Sequence, residues 1–154
     1  MEDVNEIADT NPLMLIIERI FNAPRDMVFN AWVDQEMMAG WSCPQGFTIP
    51  FGESDVRSGG KWRTCMVSPD GVKLWLGGVW KEIDPPKRLS FTHAWEDKNG
   101  NPQIESLVTV VFEDLGDKTK MIFQQTGFSS KASRDGHEDG WNECFDKLVS
   151  YLGL

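Results

Sequence analysis

The chain has 154 residues, the size of one ordinary domain, with 24 acidic and 15 basic side chains and a formal net charge of −9. Such an acidic chain is not expected to bind nucleic acid or to associate with anionic membranes. The longest apolar run, residues 13–17, is too short to span a bilayer, and the three cysteines form no C-x-x-C pair. We therefore expect a soluble cytoplasmic protein with reduced thiols and no membrane insertion.

The amino-terminal part of the chain predicts a tail, a strand and two short helices. Pro24 and Asp26 follow Asn22 as expected in a first helical turn, with Asn22 as the capping residue. Gly40 is expected to end the second helix. The predicted elements are a loose tail over residues 1–12, a buried strand over Leu13–Phe21, a helix starting after Asn22, and a helix over Gln35–Ala39.

Six further strands are predicted in the middle of the chain. Short turn signals rich in Gly, Pro and Asp separate them, so most neighbours are expected to pair antiparallel. The predicted strands are Phe47–Val56, Lys61–Val67, Val72–Ile83, Arg88–Trp95, Glu105–Glu113 and Lys118–Thr126.

In the last segment the spacing of apolar residues changes from two, as in a strand, to three and four. This spacing predicts a long amphipathic helix starting near Ser133 or later. The positions spaced by threes and fours on its predicted inner face are His137, Trp141, Cys144, Phe145, Leu148 and Leu152. One strand, two short helices, six strands and one long helix make an α+β protein, because the apolar face of the helix needs a sheet to cover.

Several short motifs occur in a specific order along the chain. They are Ala23-Pro24 with Val28-Phe29 and Trp32, the segment Trp41-Ser42-Cys43-Pro44-Gln45-Gly46-Phe47, the segment Arg57-Ser58-Gly59-Gly60-Lys61-Trp62, Gly78 to Glu82 leading into Ile83-Asp84-Pro85-Pro86 with Arg88-Leu89, then Thr126-Gly127-Phe128, and His137 with Gly140-Trp141. With these motifs the chain resembles the START-like, helix-grip superfamily. Within it the chain resembles the family named for the C-terminal domain of the activator of heat-shock-protein-90 ATPase.

The resemblance implies a single START-like domain over residues 1–154. It implies a helix-grip fold, in which a curved seven-stranded antiparallel sheet with two short helices wraps around the long C-terminal helix. Such folds usually hold an apolar cavity between sheet and helix, and the superfamily includes lipid and polyketide carriers, cyclases and the chaperone activator. Fold alone therefore does not decide function.

Side-chain alternation along the strands predicts which residues face that cavity. The candidate ligand-binding residues are Phe29, Trp32, Trp62, Met66, Trp80, Glu82, Phe91, His93, Trp95, Phe123, Gln125, Trp141 and Phe145. A few polar groups among aromatic ones are typical of a small-molecule pocket. The same pattern also fits a packed core without a cavity.

The polar candidates have alternative roles. His93 is either a ligand contact or general base, or a core histidine satisfied by one neighbour. Glu82, if it points inward, needs a partner, for which Arg63 or Lys73 is expected. Cys43 lies in a loop without a base nearby in sequence, so we predict an inert thiol.

Three functions follow from these features. The first is non-catalytic binding of a small hydrophobic, aromatic or lipid-like molecule. The second is a module that contacts a chaperone, and the third is a cyclase- or hydrolase-like enzyme using Glu82 and His93 for acid–base chemistry. No cofactor is expected, and no metal site, because the two histidines share no ligand spacing with neighbouring residues. The oligomeric state is expected to be monomer or homodimer.

Overall fold

The computed structural model describes residues 13–154, and the predicted tail over residues 1–12 lies outside this part of the chain. The described residues form seven strands and three helices. The strands are β1 (Leu15–Phe21), β2 (Thr48–Ser54), β3 (Lys61–Val67), β4 (Lys73–Asp84), β5 (Arg88–Trp95), β6 (Ser106–Asp114) and β7 (Thr119–Thr126). The helices are α1 (Arg25–Val33), α2 (Gln35–Trp41) and α3 (Lys131–Tyr151).

All seven strands belong to one antiparallel sheet with the order β1-β7-β6-β5-β4-β3-β2. This confirms the predicted α+β, helix-grip class. Only β1 lies away from its neighbour in sequence, because it pairs with β7 and thereby brings the first and the last strand together. Within residues 13–154, no helix combines the length and the apolar composition needed to cross a membrane.

The start of the first short helix and the end of the second differ from the prediction, whereas Asp34 caps the second helix as its residue type predicts. Pro24, not Asn22, is the N-cap of α1, and it provides no side-chain cap. Asp34 caps α2 through Oδ1, which accepts a hydrogen bond from Met37 N at 3.0 Å. Helix α2 continues through Gly40, and the glycine serves packing instead of ending the helix, since a Cβ there would clash with the Tyr151 ring.

The long helix α3 begins at Lys131, earlier than predicted, because the Ser130 side chain caps it by accepting from Ser133 N at 3.0 Å. Phe145 and Leu148 on its C-terminal half are fully buried in the core. Arg19 of β1 fastens this half to the sheet edge through an ion pair of 2.8 Å with Asp146.

The core lies on one side of the sheet and is divided into two clusters. The larger joins α1 and the C-terminal half of α3 to strands β1, β5, β6 and β7. The smaller contains Cys43, Met66 and Leu76, with half-buried aromatic neighbours from β3, β5 and the segment after α2. Trp62 contacts both clusters, and the space between them holds the candidate site.

Candidate functional site

A cavity of about 410 Å³ lies between strands β2–β5, the two short helices and the N-terminal half of α3. Its volume is within the ~300–1,000 Å³ range of small-molecule sites. Its deep wall is made of buried side chains such as Trp80, Phe91 and Met66. Ala132 and Gly136 of α3 are lining residues that are exposed, so they mark its mouth.

Small residues on one face of α3 create this space. Ala132, Gly136 and Gly140 are spaced by four residues, which places them on the same side of the helix, and all three line the cavity. A Cβ added at Gly136 would meet no atom within 4 Å, and one at Gly140 would meet only Pro44 at 3.9 Å. Each interior helical glycine costs about 1 kcal/mol relative to alanine. The helix thus loses stability at the two positions where larger side chains would enter the cavity.

Carboxylate, ammonium and guanidinium groups are absent from the described cavity wall. Among the described lining residues there is no Asp, Glu, Lys or Arg. Five of the seven tryptophans contribute to the wall, and the polar lining groups are hydroxyls, one amide, a thiol and two imidazoles. Because a charged ligand would lack a counter-ion here, the site suits uncharged molecules.

The indole N–H groups around the site are almost all satisfied by the protein. Four wall tryptophans donate to protein acceptors: Trp62 to Thr92 O, Trp80 to Ser54 Oγ, Trp95 to His137 Nε2 and Trp141 to Gln125 Oε1. Trp32 is the exception, since its Nε1 is buried and has no hydrogen-bond partner among the described residues. Fixed rings of this kind form a rigid aromatic wall.

His93 lies on the wall at the deep side and is only 4% exposed. Its ring is surrounded by the aromatic rings of Trp62, Trp95, His137 and Trp141 at centroid distances of 5.6 to 6.2 Å. Burial, and secondarily the nearby His137, lower the pKa of His93 to about 3. The imidazole is therefore neutral at physiological pH and is a weak general base there.

Of the thirteen predicted site residues, eight line the cavity, four belong to the core, and one, Glu82, points to the outside. Those that line the cavity are Trp32, Trp62, Met66, Trp80, Phe91, His93, Trp95 and Trp141. Those that belong to the core instead are Phe29, Phe123, Gln125 and Phe145. Gln125 nevertheless supports the wall, because it holds Trp141 through its Oε1 and donates to Ser106 Oγ.

The predicted inward orientation of Glu82 is wrong. Trp80 pairs with Phe91, but Glu82 pairs with Ser90, so β4 contains one extra residue at this point. This bulge reverses the alternation that follows it and turns Ile83 instead of Glu82 toward the core. Glu82 is 45% exposed and pairs with Arg88, not with Arg63 or Lys73.

This correction removes the geometric basis for acid–base chemistry by Glu82 and His93. The carboxylate lies outside the cavity with Arg88, whereas the imidazole lies on its wall. Arg63, one of the predicted partners of Glu82, instead makes two hydrogen bonds of 2.7 and 2.8 Å to Glu96.

Apart from Trp141, the sequence prediction missed the part of the wall that α2, the following segment and α3 contribute. These residues include Gln35, Met38, Pro44, Phe47, Ala132, Ser133, Gly136 and Gly140. The four-residue spacing of Ala132, Gly136 and Gly140 was a detectable signal. The loop residues carried none, because irregular segments have no periodicity from which a buried side can be read.

The three cysteines are buried and free. Cys43 Sγ donates to Phe47 O at 3.4 Å, and the folded chain brings Lys147 Nζ to 3.3 Å from the same sulfur. Burial raises the pKa of the Cys144 thiol far above its usual range. Residues 13–154 contain no group of three or more His, Cys, Asp or Glu side chains arranged to hold a metal ion.

Comparisons with known proteins agree with this architecture. A family model described as "Activator of Hsp90 ATPase homolog 1-like protein" matches residues 22–153. No curated protein matches the chain. Among solved structures, an AHSA1 protein from Silicibacter pomeroyi is 27% identical with a TM-score of 0.81, and the match covers 92% of this chain and 98% of that one.

Two further solved structures are similar over nearly their whole length. A protein from Arthrobacter aurescens is 25% identical with a TM-score of 0.84, covering 99% of this chain and 90% of that one. A protein from Nitrosomonas europaea is 23% identical with a TM-score of 0.79, covering 93% and 96%, and supports the fold alone.

Proposed function

This chain belongs to the Activator of Hsp90 ATPase homolog 1-like family, and we propose that it binds a small, uncharged, mostly apolar molecule between the sheet and α3. The observation that carries the proposal is the cavity of about 410 Å³ whose described lining contains no Asp, Glu, Lys or Arg. Burying a charged ligand against such a wall would be strongly unfavourable, whereas an apolar one gains from leaving water.

The wall favours flat, aromatic molecules over flexible lipid chains. Trp62, Trp80 and Trp141 present indole rings to the cavity, and their N–H groups are already bonded to the protein. Rings held in this way offer stacking and edge contacts without first having to be ordered. A flexible acyl chain would lose more conformational freedom on binding.

The test uses naphthalene as a flat, uncharged probe and calorimetry as the measurement. Two variants at one position provide a matched pair: Gly136→Ala adds only a methyl group, whereas Gly136→Leu places a branched side chain at the cavity mouth. Both replace a helical glycine and gain helix propensity. We expect the wild type and Gly136→Ala to bind naphthalene, and Gly136→Leu to lose at least tenfold in affinity.

Two results would contradict the proposal. One is the absence of naphthalene binding to the wild type at any attainable concentration. The other is equal affinity in Gly136→Leu and Gly136→Ala. Native mass spectrometry of the purified protein, followed by denaturation, adds an independent readout, because an apolar molecule that co-purifies is released and identified.

A chaperone contact, to which the family description points, stays a prediction. Its test is retention of this chain by a purified cytosolic chaperone at low salt, where an acidic protein with a net charge of −9 is attracted most strongly to a basic surface. Absence of retention under those conditions would argue against it.

A further inference from the structure

Most hydrogen-bonding groups on the cavity wall are already used by the protein. The N–H groups of Trp62 and Trp141 donate to Thr92 O and Gln125 Oε1, and Trp95 donates to His137 Nε2. Ser42 Oγ donates to Met38 O at 2.6 Å. These groups shape the cavity but have little capacity left to recognise a ligand.

His93 differs from these groups. It is buried, it lines the cavity, and among the described residues its ring has a hydrogen bond only with its own backbone, so one of the two ring nitrogens is left for a ligand. The N–H of Trp32 also lacks a partner within residues 13–154, but that nitrogen has essentially no exposed surface for a ligand to reach. The side chains of Gln35, Thr64 and Ser133 line the cavity without a hydrogen bond to the described part of the chain as well, but they are only half-buried, whereas His93 is buried. A buried polar group without a partner is costly, and a ligand that supplies the partner recovers that cost.

The protonation state of His93 determines which partner fits. With its pKa lowered to about 3, the ring is neutral and offers one N–H donor and one nitrogen acceptor. It therefore attracts no carboxylate or phosphate by charge. A hydroxyl group matches it better than either, because a hydroxyl can both accept from and donate to an imidazole.

Resting on the proposed function, we propose that the natural ligand is a neutral aromatic molecule carrying a hydroxyl group that hydrogen-bonds His93 on the deep wall of the cavity. The aromatic part lies between the indole rings of Trp62, Trp80 and Trp141, which line the same space. His93 is thus the residue that orients the ligand and distinguishes a hydroxylated ring from a plain hydrocarbon.

Three probes of one shape test this inference: naphthalene, 2-naphthol and 2-naphthoate. For the wild type, calorimetry is expected to give roughly threefold to tenfold tighter binding of 2-naphthol than of naphthalene, the increment of one hydrogen bond. The carboxylate of 2-naphthoate is expected to bind at least tenfold more weakly than 2-naphthol.

Two variants separate the hydrogen bond from packing. His93→Phe keeps a ring of similar size but removes both ring nitrogens, so the affinity ratio of 2-naphthol to naphthalene is expected to fall to about one. His93→Asn keeps a donor and an acceptor and is expected to retain part of the preference. Circular dichroism and a thermal melt show whether each variant is folded.

The outcomes distinguish this inference from the proposed function. If naphthalene and 2-naphthol bind the wild type equally, or if His93→Phe keeps the full preference, the role of His93 is overturned while the cavity remains a binding site. Tighter binding of 2-naphthoate than of 2-naphthol overturns the inference as well. If no probe binds, the proposed function itself fails.

Discussion

The indole nitrogen of Trp95 donates a hydrogen bond of 2.9 Å to His137 Nε2, and this bond connects strand β5 to helix α3 beside the cavity. His137 Nδ1 lies 2.7 Å from the carbonyl oxygen of Ser133. Since Nε2 accepts, Nδ1 must be the protonated nitrogen that donates to this carbonyl. One imidazole ring therefore connects the sheet to the helix at the cavity wall.

This bond is expected to contribute measurably to stability. In His137→Phe the Trp95 N–H loses its acceptor in a half-buried position, so we expect a loss of about 1–2 kcal/mol in the free energy of unfolding. A double-mutant cycle with Trp95→Phe, measured by urea unfolding, should give a coupling energy of at least about 0.5 kcal/mol. Additive effects of the two changes would show that the bond contributes nothing.

Trp32 and Trp41 form a matched pair for measuring an indole hydrogen bond. Both rings are fully buried and they contact each other edge to face at 4.8 Å. Trp41 Nε1 donates to Ala31 O at 3.0 Å in the last turn of α1, whereas Trp32 Nε1 has no partner among the described residues. We expect Trp41→Phe to cost about 1 kcal/mol more than Trp32→Phe in urea unfolding, because only the former removes a hydrogen bond. An equal or reversed order would contradict this assignment.

Acidification to pH 5 is expected to destabilise the fold through His93. Its pKa is about 3 in the folded protein and about 6.5 in the unfolded chain, so between these values the unfolded chain binds the extra proton. Stability therefore falls as the pH decreases through this window, by about 2 kcal/mol from pH 7 to pH 5. Urea unfolding of wild type and His93→Phe at pH 7, 6 and 5 tests this. Parallel pH profiles of the two proteins would exclude His93 as the cause.

Glu96 is expected to make the stability of the fold depend on pH in a lower range than His93 does. Arg63, which also lies 4.0 Å from the Trp75 ring centroid, makes two hydrogen bonds to this carboxylate and lowers its pKa. A depressed carboxylate pKa stabilises the fold above the unfolded value of about 4.5, and the contribution disappears as the pH falls through the folded pKa.

Glu82 serves as the control for Glu96, because its ion pair with Arg88 lies at the surface, where each of the two side chains is 45% exposed. At pH 7 we expect Glu82→Gln to change stability by less than about 0.5 kcal/mol and Glu96→Gln to cost clearly more. Below pH 4 the difference between wild type and Glu96→Gln should shrink. Urea unfolding at pH 7 and pH 3.5 measures both effects, and a constant difference would show that the Glu96 charge is unimportant.

Several local features of this protein could be predicted from sequence because their causes are local. The apolar periodicity of residues 137–152 predicted α3, and turn residues such as Gly71 and Gly116, both with positive φ in the structure, separated the predicted strands. These signals act over a few neighbouring residues. The antiparallel sheet followed from them, since short turns leave consecutive strands no other way to pair.

The candidate site was only partly predictable, because alternation shows that a side chain faces inward but not what it meets there. Phe91 and Phe123 both point to the inner side of the sheet, yet Phe91 reaches the cavity and Phe123 is enclosed by Trp32, Trp141 and Phe145. The position of α3 over the sheet decides this difference. No pattern within one strand contains that information.

By itself, the sequence determined the element order, the fold class and the aromatic, mostly apolar inner face, because these depend on residue type and short-range spacing. Only the tertiary structure decided that Glu82 leaves the cavity, since a single extra residue in β4 reverses the direction of those after it. It also decided the partners of the polar groups: Trp95 meets His137 from 42 positions away and Lys147 meets Cys43 from 104. Contacts between residues so far apart in sequence arise only when whole elements pack together. The same packing leaves the open space beneath α3.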